Sequence, residues 1–363
     1  MHASSEAAAG DGRGVEFNGN WREYLPIAAT NALLIICTLG IYRFWAAARQ
    51  RRYLWSRTHV IDDCLEWTGT GKEMFFGFLI VIAVLAPFFL FFQFLFPALV
   101  ARGMGVAAGG ILLLFYLALI YLGGFARFRA LRYRLSRSWW HGIRGGSDDP
   151  GWSYGGKYLG RYFLSFMTWF IVFPWAVTQL WNDRWDRMSF GQVEFRSDLD
   201  AEGLKWRWAL VYLVPIGALF VAGIIGVGLL GLGGDQIAAG PAAGLGATLL
   251  LLLVVFYLAI PLMTLHWFAG FYRKAAEATK LGDLEFRFDA TTLQWLGLFL
   301  GNVALAVVTL GFGLTYWGYR NWAFMVRHLH IYGTVDVGDL AQSRTRAPVE
   351  AEGWADAFDV GAI

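Results

Sequence analysis

The sequence has few charges, and its apolar runs are rarely interrupted. Only 16% of the 363 residues are charged, whereas 57% are hydrophobic, with 18 Trp, 15 Tyr and 30 Phe. Because roughly 20 apolar residues suffice to cross the hydrocarbon core of a bilayer, most of the uncharged stretches are long enough to span it. These stretches are 74–101, 103–126, 162–182, 208–234, 236–272 and 290–319. The scarcity of charge excludes a soluble globular protein and indicates an integral membrane protein.

Cysteine and the common catalytic motifs are also scarce. Cys37 and Cys64 are too few for a disulfide framework, and we expect both to be reduced. The sequence contains no phosphate-binding Gly-x-x-x-x-Gly-Lys-Ser/Thr, no His-Glu-x-x-His, no Cys-x-x-Cys and no Gly-x-Ser-x-Gly. We therefore predict no enzymatic activity, no catalytic residue, no bound metal and no cofactor.

One pattern that the sequence does contain is Asn-x6-Thr-Leu-Gly, which occurs twice in apolar surroundings. Its two copies are Asn31, Thr38, Leu39 and Gly40, and Asn302, Thr309, Leu310 and Gly311. A weaker third copy lies between them, where Thr168 precedes Trp175 by the same spacing as Thr38 precedes Trp45. Such self-similarity predicts that one membrane unit is used three times.

The distribution of Lys and Arg distinguishes two topologies. If every apolar segment spans, there are seven crossings, and the 30 Lys and Arg divide into 18 inside and 12 outside. If the repeat segments 24–42, 162–182 and 290–319 instead enter and leave on one face, the division is 29 to 1. Because Lys and Arg concentrate on the cytoplasmic side, the second topology is favoured.

We therefore predict an α-helical polytopic membrane protein with internal repeats and cytoplasmic termini. Four helices span the membrane as two hairpins, 74–101 with 103–126 and 208–233 with 241–270. Three bent re-entrant or interfacial helix pairs complete the fold, because Gly and Pro at their centres are poor helix formers; seven spanning helices are the alternative. The domain prediction is disordered ends 1–14 and 343–363, and one membrane domain 15–342 with repeat units 15–73, 139–205 and 283–340, separated by helical hairpins 74–126 and 206–272.

Short alternating runs, each with an acidic residue between apolar ones, lie outside the membrane segments. They are 15–17, 65–67, 193–195, 284–286 and 335–337. Period-two alternation predicts short, half-buried cytoplasmic strands, and one small sheet for each repeat is an arrangement that fits. The acids could form a cation site, but an exposed strand face is the interpretation we favour.

The candidate binding residues are neutral polar groups and glycines at the membrane repeats: Asn31, Thr38, Gly40, Thr168, Asn302, Thr309 and Gly311. They could bind a small ligand or a lipid headgroup at opened helix ends, or they could satisfy backbone groups freed by the bends. His266 lies in an apolar helix and is a candidate for a proton relay. His328 and His330 lack a third metal ligand nearby and are predicted to be structural.

Basic clusters follow the membrane segments and are candidates for contacts with anionic lipid. Their members are Arg49, Arg51, Arg52, Arg129, Arg132 and Arg134. A role in topology alone explains them equally well. We predict no nucleic-acid binding, because these side chains lie close to the membrane ends and no recognition fold accompanies them.

Three stretches resemble the YjgN-like family of bacterial inner-membrane proteins. They are Asn31 through Trp45 with Arg49, Arg51, Arg52 and Tyr53; Tyr133 through Arg144; and Phe286 through Thr309-Leu310-Gly311 to Leu340. The resemblance covers about 15–342 and implies a bacterial inner-membrane location, but no activity, because the family is a domain of unknown function. The chain departs from the family pattern at Thr168–Trp175, which replaces Thr-Leu-Gly, and at Arg43.

Two functions fit these observations. The first is a non-enzymatic transporter or binder of a small or lipid-like molecule, suggested by broken membrane segments with neutral polar centres. The second is a structural or assembly scaffold that holds protein partners or anionic lipid on its cytoplasmic face. Neither the ligand nor the oligomeric state follows from the sequence.

Overall fold

The computed structural model describes residues 14–231, 246, 249–250, 253–334, 342–343 and 345. Over these residues the helices form five antiparallel pairs, numbered in chain order. The pairs are α1 Trp21–Cys37 with α2 Arg43–Ser56, α3 Gly71–Ala101 with α4 Gly105–Arg137, α5 Trp152–Met167 with α6 Phe173–Trp185, α7 Leu204–Gly231 with α8 Val255–Ala278, and α9 Thr292–Val308 with α10 Leu314–His328.

Short antiparallel strands lie between the helix pairs. They are β1 Val15–Phe17, β2 Thr58–Val60, β3 Asp63–Cys64, β4 Glu66–Trp67, β5 Ser138–Trp140, β6 Ile143–Gly146, β7 Ser189–Phe190, β8 Val193–Ser197, β9 Thr279–Leu281, β10 Leu284–Phe288 and β11 Leu329–Tyr332. Four of the five alternating runs are therefore at strands, as predicted. The fifth, 335–337, lies outside the described residues.

The expectation of one small sheet for each repeat is wrong. Strands β4 to β11 form one eight-stranded sheet in chain order, and β1, β2 and β3 form a second sheet. The two sheets meet at both ends, because β3 leads directly into β4 and β1 contacts β11. Val15 of β1 packs beside Ile331 of β11 in one apolar cluster. The strands therefore curl around a shared interior, which local alternation cannot reveal.

Each helix pair leaves and re-enters the strands at neighbouring positions. The last residue of one strand faces the first residue of the next across the ladder at Phe17↔Thr58, Trp67↔Ser138, Gly146↔Ser189, Ser197↔Thr279 and Phe288↔Leu329. All five pairs consequently project from the same edge of the strands. Tight turns such as His141-Gly142, both in the left-handed region at φ 50° and 70°, close the opposite edge.

This strand pairing contradicts the alternative of seven spanning helices. Seven crossings would place 183–207 and 273–289 on the opposite side of the membrane from 127–161. However, β8 and β9 belong to the same hydrogen-bonded sheet as β5 and β6. Hydrogen-bonded strands cannot be separated by a bilayer, so these connecting segments share one side.

Four helices in the described part of the chain are long and apolar enough to cross a membrane. They are Gly71–Ala101, Gly105–Arg137, Leu204–Ile224 and Val255–Ala278. These correspond to the four predicted spans, although most of 241–254 lies outside the described residues. The remaining helices contain 13 to 17 residues and form the three short pairs predicted from the repeats.

Candidate binding site

Thr38, Thr168 and Thr309 each lie where the first helix of a short pair ends. Their hydroxyls donate to the carbonyl four residues earlier, with Oγ1–O distances of 2.7, 3.0 and 2.6 Å. The hydroxyl oxygens of Thr38 and Thr309 also accept from backbone N–H groups four residues later, at 2.9 and 2.6 Å. The threonine hydroxyls therefore bond to backbone groups at the bends.

The residues that follow each threonine make the same turn in all three short pairs. Two successive residues adopt positive φ: Leu39 and Gly40 at 51° and 91°, Trp169 and Phe170 at 52° and 61°, and Leu310 and Gly311 at 51° and 92°. The N–H of the second residue donates to a carbonyl five residues earlier in each case, at 2.6 to 2.8 Å, which is the bond of a Schellman helix end. The middle pair thus forms this turn without glycine.

The two asparagines of the repeat lie deeper, within the body of their helix pairs. Asn31 is buried and its Nδ2 donates to the Ala46 carbonyl of α2 at 3.4 Å. Asn302 is also buried and its Nδ2 donates to Asn321 Oδ1 of α10 at 2.8 Å. Each amide therefore ties together its own helix pair. The structure does not bring the seven candidate repeat residues into a single pocket.

The predicted lipid-contacting arginines are placed differently from one another. Arg49 and Arg52 are exposed, whereas Arg51 and Arg132 are buried and Arg129 and Arg134 are half-buried. Arg51 stacks over Trp67, Arg129 donates to the Pro150 carbonyl, and Arg132 donates to the Asp149 carbonyl. Of these six, Arg49 and Arg52 have exposed side chains.

The remaining sequence candidates have structural surroundings. His266 is half-buried, and its Nδ1 lies 3.0 Å from Thr292 Oγ1. His328 and His330 both contact the carboxylate of Asp289, at 2.6 and 3.1 Å. Burial alone would raise the pKa of Asp289, but the bonds from the two histidines hold that pKa below its ordinary value. No group of three or more potential metal ligands occurs among the described residues.

The residue patterns did not predict a cavity of about 730 Å³ inside the curled strands. The second helix of every pair contributes its last turns to the wall. These contributions are Trp55 of α2, Leu135 of α4, Trp181 and Trp185 of α6, Tyr272 and Ala276 of α8, and Trp322 and Met325 of α10. The inward faces of the strands, including Phe195, Leu284 and Phe286, complete a mainly apolar lining.

Four of the five tryptophans that line the cavity use their polar N–H groups to bond to the wall, which keeps the lining apolar. Nε1 of Trp55 donates to Ser138 Oγ at 2.8 Å, and Nε1 of Trp181 donates to Thr279 Oγ1 at 3.0 Å. Trp140 and Trp322 likewise donate to the Val60 carbonyl and to Thr58 Oγ1, at 3.0 and 2.8 Å. The indole rings are thus fixed with their apolar area available to line the cavity.

A charged side chain lies beside two of these cavity residues. Arg184 of α6 is 7% exposed, and its guanidinium stacks on the ring of Trp181 at 5.2 Å from the centroid. Burial lowers the pKa of Arg184, and Arg127 and Arg134 act in the same direction, whereas Tyr154 and Tyr272 raise it. The side chain nevertheless stays protonated, because arginine does not lose its charge in proteins.

Sequence reasoning missed the cavity, although two signals for it were present. Aromatic residues recur near the ends of the second helices, at Trp55, Trp185 and Trp322. The predicted strands also place their acids on the exposed face, as at Glu194 and Glu285, so their apolar neighbours must face inward. What those neighbours surround depends on how strands distant in sequence pair.

The fold and composition define a polytopic α-helical membrane protein with a strand-lined cavity at one end of its helices. A family model described as bacterial protein of unknown function (DUF898) matches residues 13–357. The chain belongs to this family, and the YjgN-like family resemblance seen in its motifs is confirmed.

Curated relatives match over shorter segments. The chain is 32% identical to inner membrane protein YjgN of Escherichia coli O157:H7 over 128 residues, and 30% identical to its counterpart in strain K12. Each match covers 35% of this chain and 29% of the relative, so less than a third of these relatives' length is spanned. The protein of the same name from Salmonella typhimurium is 32% identical over 68 residues, which cover 19% of this chain and 17% of the relative. No solved structure matches the chain.

Proposed function

We propose that this chain is an inner-membrane protein that binds a lipid-like molecule in its central cavity, and holds or moves it without catalysing a reaction. The observation that carries the proposal is the apolar cavity of about 730 Å³. Binding sites for small molecules typically enclose 300–1,000 Å³ and are lined mostly by apolar and aromatic side chains. We therefore propose that the ligand binds in the cavity between the strands and not at the bends, where the threonine hydroxyls already bond to backbone groups.

The short helix pairs support a location of the cavity close to the bilayer. Their turn residues are apolar and strongly exposed, at 94% for Leu39, 82% for Trp169 and 90% for Leu310. At 1.5 Å per residue, a helix of 16 or 17 residues reaches about 25 Å. Such tips are favourable in hydrocarbon, so we propose that the three pairs re-enter the membrane from the strand side.

The strand side is the cytoplasmic side in this proposal. Lys and Arg on the segments that share the strand edge outnumber those on the distant loops, where Arg102 stands alone, and cytoplasmic loops are enriched in basic residues. The names of the relatives support the inner membrane as the location. Arg49 and Arg52, both exposed, would then attract anionic headgroups.

A scaffold role is the second candidate. The outer face of the curled strands carries exposed charges that alternate with the inward apolar residues, including Glu16, Glu66, Glu194, Arg196 and Glu285. A charged outer face suits a protein partner that docks electrostatically. This role would leave the cavity without a ligand.

To test this proposal, a larger side chain is placed in the cavity, and ligand binding is measured by quenching of the fluorescence of the cavity tryptophans. Ala276 lines the cavity, so Ala276→Phe reduces the available space. A brominated long-chain alcohol quenches tryptophan fluorescence on contact. We expect saturable quenching of the detergent-solubilised full chain, and at least about tenfold weaker binding by Ala276→Phe, since inserting carbon atoms into an occupied volume is costly.

Glu277→Phe is the matched control, because the neighbouring residue Glu277 is exposed and lies outside the cavity wall. It should bind the brominated alcohol like the unaltered chain. Equal affinity of Ala276→Phe and Glu277→Phe would refute a ligand site in the cavity. A stable protein partner that is released by charge reversal on the outer strand face, without an effect of Ala276→Phe, would favour the scaffold role.

A further inference from the structure

A buried positive charge beside the cavity, on Arg184, indicates which chemical class of ligand the cavity would bind. Arg184 is buried, and its Nε makes no hydrogen bond within the described residues. No carboxylate in that part of the chain forms an ion pair with it. Burying a charge without a partner costs far more than burying a paired one. Arg184 therefore lies in a position that an added anion would stabilise.

The nearest acidic residue along the chain cannot supply that anion. Asp183 forms ion pairs with Lys157 and Arg161 on α5. Burial alone would raise the pKa of Asp183, but those two partners hold the pKa below its ordinary value. The carboxylate of Asp183 is thus already paired with two cations.

Two further arginines near Arg184 add to the positive potential, whereas Tyr154 and Tyr272 act in the opposite direction. Arg127 and Arg134 of α4 lie close enough to interact electrostatically with Arg184. Arg127 bonds to a neutral partner, donating to the Tyr158 hydroxyl at 2.7 Å. Tyr272, which also interacts with Arg184, lines the cavity. A positive region thus borders an apolar volume.

A second donor without a partner occurs at the next residue. Nε1 of Trp185 is buried and makes no hydrogen bond in the described structure, unlike the other cavity tryptophans. Trp185 lines the cavity, and Trp181, on which Arg184 stacks, lines it too. An indole N–H and a guanidinium on consecutive residues are both suited to an oxyanion.

We infer that the cavity takes an anionic amphiphile, whose acyl chain fills the apolar volume and whose carboxylate or phosphate pairs with Arg184. This inference rests on the proposed function, because it names the chemical class of the ligand for the same cavity. The apolar lining accounts for the chain, and the uncompensated guanidinium accounts for the headgroup. A neutral lipid would leave Arg184 unpaired.

The experiment compares brominated stearate with the matched brominated stearyl alcohol in tryptophan quenching of the full chain. We expect stearate to bind at least about tenfold more tightly, because hydrogen bonds to charged groups are the stronger ones. Arg184→Met should abolish this preference. Arg184→Lys should retain part of the preference, and Arg196→Met on the exposed outer strand face should retain all of it.

Thermal unfolding separates a ligand role from a purely structural one. Arg184→Met should unfold at an equal or higher temperature than the unaltered chain without ligand, because replacing a buried charge by an apolar residue of similar size is often neutral or stabilising. A large destabilisation, together with an intact preference for stearate in the folded fraction, would overturn the inference.

Two further outcomes distinguish the ways in which the proposals could fail. Equal binding of stearate and the alcohol would refute the anionic headgroup but leave the proposed function standing, whereas no saturable binding of either would refute both. Inorganic phosphate alone should not compete with stearate. Displacement of stearate by phosphate alone would instead indicate a site for a free anion and would overturn the acyl part of the inference.

Discussion

Single residues at the three bends show how closely backbone geometry follows local chemistry. Each bend begins with a threonine whose hydroxyl bonds to the preceding turn of helix, and each continues through two left-handed residues. Left-handed geometry costs a residue with a side chain roughly 1–2 kcal/mol. Glycine is therefore understandable at Gly40 and Gly311, where φ is above 90°. Phe170 occupies the same place at φ 61°, nearer the centre of the allowed region.

This difference leads to a prediction at the residue scale. Gly311→Ala should lower the free energy of unfolding by roughly 1–2 kcal/mol, although an added Cβ there would meet no atom within 4 Å. The control is Gly297→Ala in α9, where a Cβ also meets nothing within 4 Å. Because alanine is the better helix former, this control should raise the free energy of unfolding by roughly 0.5–1 kcal/mol.

Denaturant titration of the purified chain in one detergent would measure both variants. Opposite signs of the two changes are required, because the space around both glycines is open and only the backbone conformation differs. A Gly311→Ala variant as stable as Gly297→Ala would show that the left-handed turn is not maintained in the folded protein.

At the scale of elements, the short and the long helix pairs occupy equivalent places. Both kinds begin after one strand and end at the start of its neighbour. They differ mainly in length, since the short helices have 13 to 17 residues and the candidate spans have 21 to 33. The sequence pattern identified the three short pairs through their bends. It did not relate them to the long pairs, whose helices share no such motif.

The re-entrant arrangement makes an element-scale prediction about the tip of the third short pair. Leu310 is 90% exposed and left-handed, and both Asp and Asn tolerate left-handed geometry. If the tip lies in the bilayer, Leu310→Asp should be less stable than Leu310→Asn by about 1–3 kcal/mol, because a charge in hydrocarbon is costly. Unfolding in reconstituted bilayers would measure this difference.

Ile61 provides the comparison for this experiment. It is also left-handed, at φ 61°, but it lies in a turn on the opposite edge of the strands. Ile61 is half-buried beside the apolar cluster of Val15 and Ile331, but that edge faces water in the proposed arrangement, so the Asp–Asn difference at Ile61 should be small and below the one at Leu310. The re-entrant proposal is wrong if the Asp–Asn difference is equally small at Leu310.

At the scale of the whole molecule, the strands decide which segments share a side. The paired strands join residues 15 to 332 into one curled assembly, and every helix pair projects from the same edge. An apolar interior then forms where the second helices of all five pairs converge. The architecture therefore couples the membrane segments directly to the walls of the cavity.

Cysteine labelling tests this architecture and the cytoplasmic orientation proposed for it. In a background with Cys37→Ser and Cys64→Ser, the variants Glu194→Cys and Glu285→Cys place a thiol on exposed strand residues. A membrane-impermeant maleimide should label neither in intact spheroplasts and both after permeabilisation. Arg102→Cys, in the loop between α3 and α4, should be labelled in intact spheroplasts. Labelling of Glu194→Cys and Glu285→Cys from outside would refute the orientation.

A comparison of strands with their partners shows how far sequence could predict this fold. The runs at 15–17, 65–67, 193–195 and 284–286 predicted strands and exposed acids because period-two alternation is local. Their partners are not local: Trp67 pairs with Ser138, and Ser197 pairs with Thr279. Strands as short as β3 and β4, with two residues each, carry too little alternation to specify such pairing.

The same distinction between local sequence and distant pairing applies to the candidate site. Asn31 and Asn302 each bond within their own helix pair, so their positions depend on local sequence. The cavity and Arg184 could not be read in this way. Arg184 belongs to none of the basic clusters singled out from sequence, and its packing against Trp181 and near Tyr272 is what distinguishes it.

The sequence by itself determined that this protein is a polytopic membrane protein with four candidate spans, and that it belongs to its family. These properties depend on composition, charge distribution and short motifs, each of which is encoded within a few tens of residues. Only the tertiary structure decided that the strands form one curled assembly around an apolar cavity with a buried arginine beside it. That outcome depends on strand pairing between residues as distant in sequence as Phe195 and Leu281, and on the convergence of five helix ends, which no local pattern encodes.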